Sequence, residues 1–198
     1  MPHALGLRRS AAPWPLVAGW LAVAFALTGC SSPPPTHEEA ARALLASEPF
    51  RVARLETAAA EAPGPCPEAM NHHPEWSRWT SLGIARVSTV VTTAGAVCRL
   101  AVEETYWREA ENWRHRIPPD NAPARGEIAL PVGVRSLVRV SDIRSVGNGV
   151  AEAAFEWQWR LNQAGQRFGI DTKPLRGWAQ LVRDESQWRA MRIELGGQ

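Results

Sequence analysis

Lysine is almost missing from this 198-residue chain: Lys173 stands alone among many arginines, and tyrosine occurs once. A bias of that kind reflects codon usage and by itself gives the guanidinium groups no role. Long hydrophobic runs are missing too. The longest, Pro15 to Leu27, has about thirteen residues, short of the roughly twenty that span a bilayer as a helix, which argues against a permanent transmembrane anchor. No H-E-x-x-H, no C-x-x-C and no i, i+4 histidine pair occurs, and the adjacent His72 and His73 would point apart, so no metal is expected. G-x-S-x-G is absent, and neither Ser141 nor Ser186 has a histidine nearby in sequence, so no catalytic residue is assigned.

An excess of charge of one sign is also lacking. Lys and Arg number 22 against 20 Asp and Glu, a formal +2, and the first 29 residues hold Arg8 and Arg9 but no acid. Once those residues are removed the chain is neutral. Nucleic-acid-binding domains concentrate uncompensated basic residues, so no nucleic-acid partner is expected.

What the chain does have is an ordered leader. Arg8 and Arg9 form a positive segment, Leu16 to Leu27 an apolar one, and Leu27-Thr28-Gly29-Cys30 closes it with small residues and a cysteine. An ordinary secretory signal has no need of that cysteine, and the bulky apolar residue usual after a twin arginine is missing at Ser10-Ala11-Ala12. The four residues resemble the lipobox of bacterial lipoproteins, a resemblance confined to the first thirty residues. It implies cleavage before Cys30, lipidation of Cys30, and attachment to a membrane through more than one acyl chain, which makes the anchor stable. Ser31 in place of an aspartate favours the outer membrane if the host has two. The chain is then expected to face the periplasm, with no cofactor other than the covalent lipid. Residues 1–29 are the leader, 30–49 a Ser/Pro tether with a short helix, and 50–198 one globular domain, a size suited to a single core.

With Cys30 assigned to lipid, Cys66 and Cys98 remain as an even pair in an oxidising compartment, and a Cys66–Cys98 disulfide is expected. Thr36 and Glu39 form a T-x-x-E capping box for a helix that Pro49 stops, either docked on the domain or left in the tether. Phe50 to Leu55 alternates like a strand. The proline-rich stretch from Ala62 to Pro74 reads as a loop, Glu75 to Gly83 as a short helix, and Ile84 to Val102 as a hairpin around Gly95. Val102, Tyr106, Ala110 and Trp113 fall at helical spacing.

Beyond Pro123 the pattern is that of an antiparallel sheet of about four strands. Ser136 to Val146 turns at Gly147-Asn148-Gly149 into Ala151 to Asn162, and a hairpin joins Leu175–Arg183 to Gln187–Leu195. One apolar face of such a sheet needs a cover, and the upstream helices supply it. The fold class is α+β, a curved antiparallel sheet covered by N-terminal helices. Its shape and order are similar to the cystatin-like and NTF2-like folds, with a winged-helix-like arrangement of residues 75–113 as the alternative.

Phe155, Trp157 and Trp159 share one strand face. They are either core or, if the sheet is concave and open there, a ligand face. Trp178 and Trp188 are expected to be more exposed. The expectation is a lipid-anchored envelope accessory module that binds a protein partner or ligand and does no covalent chemistry. The alternative is a small NTF2-like enzyme or small-molecule binder with a pocket inside the sheet.

Overall fold

The computed structural model describes residues 33–196. The leader, the Leu27–Cys30 signal and the tether residues Ser31 and Ser32 lie outside the described residues. Helix α1 (His37–Ala46) starts at the expected capping box: the Thr36 N–H donates to Glu39 Oε2 at 2.8 Å, and the Glu39 N–H to Thr36 Oγ1 at 3.2 Å. The Thr36 backbone N–H is the main reason the Glu39 carboxyl lies below its ordinary range. Of the two placements open to this helix, docking on the domain is the one observed, with Ala40, Ala43 and Leu44 buried.

Pro49 does not itself stop α1, which ends at Ser47. It sits in the first turn of a second helix, α2 (Glu48–Arg51), where the missing N–H costs no hydrogen bond. Phe50 is therefore helical and buried, and the strand expected from Phe50 begins later, as β1 (Ala53–Ala59). Next come β2 (Glu61–Pro63), α3 (Cys66–His72), α4 (Pro74–Ser81), the hairpin β3 (Ala85–Thr92) and β4 (Gly95–Val102), and α5 (Glu104–Glu111). Helix α3 occupies stretch 62–74, expected to be loop, because Pro65 and Pro67 fall at its cap and first turn, the helix positions that tolerate proline. The Cys66–Cys98 disulfide is formed and ties the start of α3 to β4.

The C-terminal half contains β5 (Glu127–Gly147), β6 (Val150–Leu161), α6 (Gln163–Arg167), β7 (Leu175–Asp184) and β8 (Gln187–Leu195). Strands β5 to β8 make the expected antiparallel sheet and β1 adds a fifth at its edge, in the order β1-β5-β6-β7-β8. The second sheet is β2-β4-β3. The protein is α+β, with a curled sheet in its C-terminal half and most of its helices upstream.

The curl has a local cause. Three register shifts interrupt the β5–β6 ladder, skipping Val138, Ser141 and Val146. Each such bulge bends its strand and adds twist. Each also adds one residue to the two-residue period, so the residues of β5 that pack on the covered face are Leu137, Val140 and Ile143, three apart. A fourth shift skips Met191 in β8. Val138, Val146 and Met191 are among the exposed large apolar side chains, and their exposure follows from the bulges rather than from a docking patch.

Two clusters of buried side chains result. Trp76, Trp79, Leu130, Val132 and Phe168 fill the space among α3, α4, α6, the smaller sheet and the start of β5. Phe155, Trp157 and Leu181 meet Ala40, Leu44 and Phe50 where α1 and α2 cover the larger sheet. Ala151, Ala153 and Ala179, all fully buried, let α1 approach the strands closely. Trp188 is nearly buried at 9% exposure, against expectation, because β8 turns it under α1. Trp178 is half-buried.

Candidate functional site

Strand β1 pairs with β5 only as far as Val134. Past that point the neighbour of β5 is α2, and the change from strand to helix leaves an opening. A groove of about 690 Å³ runs along it, between α2, residues 115–119 and β5 at Val134, Arg135 and Ser136. A second hollow of about 470 Å³, bordered by Arg54, Asn121, Trp157 and Trp159, shares Val52 and Arg135 with the groove.

Arg135 is the centre of this site. Its cross-strand partner is Trp159, and the next pair on the same face is Leu137 with Trp157. The alternation that buries Leu137 therefore turns the Arg135 guanidinium inward, onto two indoles. Its Cζ lies 4.6 Å from the Trp159 ring centroid and 5.4 Å from that of Trp157, close enough for cation–π attraction to both. Nη1 donates to the Pro49 carbonyl at 2.9 Å and so fastens α2 to β5. Burial lowers the Arg135 pKa, the Glu48 carboxylate opposes that shift, and the nearby Arg54 adds to it. The group stays charged all the same, as an arginine does.

Two buried donors here have no acceptor among the described residues: Arg135 Nε and Trp157 Nε1. A buried N–H without a partner costs about 1–3 kcal/mol. Both belong to residues that border the smaller hollow, together with the side chain of Asn121. Arg54 also approaches Trp159, its Cζ 5.6 Å from the ring centroid, and its Nη2 lies 3.6 Å from the Glu56 carboxylate. One indole is thus approached by two guanidinium groups, and among the described residues no carboxylate borders this hollow.

The groove continues the same chemistry. Arg51, Arg116 and Arg160 line it with His115, and none of the three arginines forms an ion pair among the described residues. Glu48 is the one acidic residue on its wall. A chain neutral beyond its leader therefore gathers an excess of positive charge at one place.

The residues singled out from the sequence, with Glu156 and Asp142 as the acids of the same two strands that could serve a pocket there, fall as follows. Phe155 is buried, edge-on to Phe50 at 5.9 Å between ring centroids. Trp157 is also in the core, yet one edge borders the hollow, and Trp159 lies half-buried at its mouth. Glu156 is turned to the opposite face and held by Arg139 in two hydrogen bonds of 3.0 and 2.6 Å, which draw its carboxyl below the ordinary range. Asp142 is exposed. His73 contacts Glu75 at 3.1 Å and stacks on Trp76. Among the described residues no three His, Cys, Asp or Glu side chains gather to hold a metal. The free edge β8 is partly covered by α1 and broken by the Met191 bulge, so it offers little to an incoming strand. Cys30 lies outside the described residues.

Sequence reasoning passed over Arg51, Arg54, Arg116, Arg135 and Arg160. One of them left a signal: pairing Ser136–Val146 with Ala151–Asn162 across the turn at Gly147 sets Arg135 near Trp159, an arginine where the alternation calls for an apolar residue. The others come from segments far apart in sequence. No family model, curated protein or solved structure matches the chain.

Proposed function

We propose that this chain is a lipid-anchored accessory protein of the cell envelope, attached through Cys30 and facing the periplasm, that binds an anionic partner or ligand in the groove at Arg135 and carries out no covalent chemistry. The observation that carries this reading is the concentration of Arg51, Arg116, Arg135 and Arg160 on one groove of an otherwise balanced chain. Uncompensated arginines in a cleft focus field and draw in anions.

The small-molecule-binder alternative is favoured by the hollow beside Trp159. Such a pocket belongs to the rim of the sheet and not to its interior, which Ala40, Leu44, Phe50 and Phe155 fill.

The test is site-specific photocrosslinking in intact envelopes, with a photoreactive residue at Arg160 in the groove or at Asp142, an exposed position in the bulged part of β5. A discrete adduct from position 160 and none from 142 is expected. Adducts of equal yield from both, or from 142 alone, would overturn the proposal. Radiolabelled palmitate should enter the wild-type chain but not Cys30→Ala; equal labelling of the two would remove the anchor from the reading.

A further inference from the structure

The smaller hollow has a chemistry more specific than positive charge. All the polar side chains around it can donate hydrogen bonds: the guanidinium groups of Arg54 and Arg135, the Trp157 indole N–H, and the Asn121 amide. Two of these donors, Arg135 Nε and Trp157 Nε1, are buried and unpartnered among the described residues, and Trp157 as a whole has no exposed surface. Arg135 spends Nη1 on Pro49, so the edge made by Nε and Nη2 is the one left over. That edge presents two parallel N–H groups at the spacing of the two oxygens of a carboxylate or phosphate.

We infer that the hollow bordered by Arg54, Asn121, Arg135, Trp157 and Trp159 is an oxyanion-binding site that accepts one carboxylate or phosphate group side-on from Arg135 and from the Trp157 indole. The inference rests on the groove being where the protein binds, and it supplies the chemical class of the ligand. An oxyanion seated against both orphaned donors satisfies them at once and also meets Arg54, whose present partner is the Glu56 carboxylate at 3.6 Å. Trp157 and Trp159 form an apolar wall on one side of the site, which limits the water that competes for each charge-assisted bond. Since Arg51, Arg116 and Arg160 continue into the adjoining groove, a ligand with more than one negative group is bound more tightly than one with a single group.

The test is calorimetric titration of the lipidated chain in neutral detergent, at constant ionic strength, with four probes: inorganic phosphate, pyrophosphate, acetate and citrate. One-to-one binding is expected, pyrophosphate exceeding phosphate and citrate exceeding acetate. The stronger pair assigns the natural group to phosphate or to carboxylate. Arg135→Gln should weaken binding at least tenfold and Arg135→Lys severalfold, since the lysine keeps the charge and loses the fork. Arg139→Gln, on the opposite face, should stay within twofold of wild type. A folding defect in the Arg135 variants would not rescue or sink the idea, because replacing Trp157 with 3-(3-benzothienyl)alanine keeps the bicyclic shape in this fully buried position and removes the N–H. It should weaken binding severalfold while leaving the melting temperature unchanged or higher, an outcome that a purely structural indole would not produce.

Absence of binding by all four probes at millimolar concentration, unchanged affinity in Arg135→Gln, or unchanged affinity in the benzothienylalanine variant at Trp157 would each overturn the site. Oxyanion binding without a groove adduct in envelopes would instead spare the site and remove the accessory role. A groove adduct without oxyanion binding would do the reverse.

Discussion

Gly177 lies opposite Phe155 across the β6–β7 pair, and the contact is tight enough to make a single methyl group a probe of the whole covered face. A Cβ at position 177 would lie 2.4 Å from Phe155 Cζ, 2.5 Å from Cε2 and 3.1 Å from the Glu194 carbonyl. Carbon atoms sit comfortably at about 3.5–4.0 Å, so the ring would have to retreat by roughly 1 Å. It has nowhere to go, being 1% exposed and wedged edge-on against Phe50. Overpacking of this kind costs about 1–3 kcal/mol, from which the reduced freedom of the unfolded alanine chain returns about 0.4–1 kcal/mol. Gly177→Ala is therefore expected to lose about 1–2 kcal/mol, or roughly 2–8 °C in melting temperature for a chain of this size. The measurement is urea and thermal unfolding of the unlipidated Cys30→Ala chain. Phe155→Leu supplies the control: it shortens the ring, costs stability alone, and should make the added methyl group at 177 nearly neutral, a coupling of about 1 kcal/mol or more. If Gly177→Ala is neutral in the wild-type background, or if the two substitutions simply add, the packing argued for α2 and the sheet is wrong.

Further outcomes follow from the same physics. Replacing Cys66 and Cys98 with alanine opens a loop of sequence separation 32 and should cost about 3–4 kcal/mol by the chain-entropy relation, read as a lower urea midpoint; a loss under about 1 kcal/mol would mean that the unfolded chain is already restrained. Asn162→Ala should cost about 2–4 kcal/mol, because that buried amide donates to the Pro131 carbonyl at 2.7 Å and accepts from the Gly165 N–H at 2.9 Å, leaving two backbone groups unpaired. The check is again the urea midpoint, and an unchanged value would show that α6 does not depend on this cap. The Arg139 contact lowers the Glu156 pKa in the fold. The stability it adds is complete above the unfolded carboxylate range and is lost as pH falls through the depressed folded value. In Glu156→Gln the acid-side slope of stability against pH should flatten, and an identical slope would show that the pair contributes nothing in solution.

How much of this was legible depended on whether a residue's neighbours were local. The Thr36–Glu39 box, the Gly147–Gly149 turn and the helix carrying Trp76 and Trp79 were readable because each is set by residues within one or two turns of chain. Strand β6 was readable because Ala151, Ala153, Phe155 and Trp157 keep a strict period of two. Strand β5 hid its inward face, since the bulges at Val138 and Ser141 convert that period into the spacing of Leu137, Val140 and Ile143. Pro49 was misplaced because a proline that ends one helix and a proline that opens the next look the same in sequence. The groove was out of reach for a different reason: its arginines come from α2, from residues 114–116, from β5 and from β6, and only the fold brings these together.

Arg135 shows what such a site costs the fold. Its position on β5 belongs to a face that otherwise carries Leu137, Trp157 and Trp159, and an apolar residue there would pack without leaving a donor unsatisfied. Cation–π contact with two indoles and the bond to the Pro49 carbonyl recover part of the desolvation, but the Nε–H stays without an acceptor among the described residues. The same strain recurs one residue pair along, at the Trp157 N–H, and again in the approach of Arg54 to the indole that Arg135 already occupies. Three separate departures from good packing meet in one hollow, whereas the neighbouring core around Ala151, Phe155 and Leu181 shows none. Local rules broken repeatedly in one hollow are the pattern on which the proposed site rests. The two orphaned N–H groups would be relieved by the same thing, an acceptor carrying negative charge, whereas Arg54 already has the Glu56 carboxylate at 3.6 Å, so the proposed ligand is argued from Arg135 and Trp157.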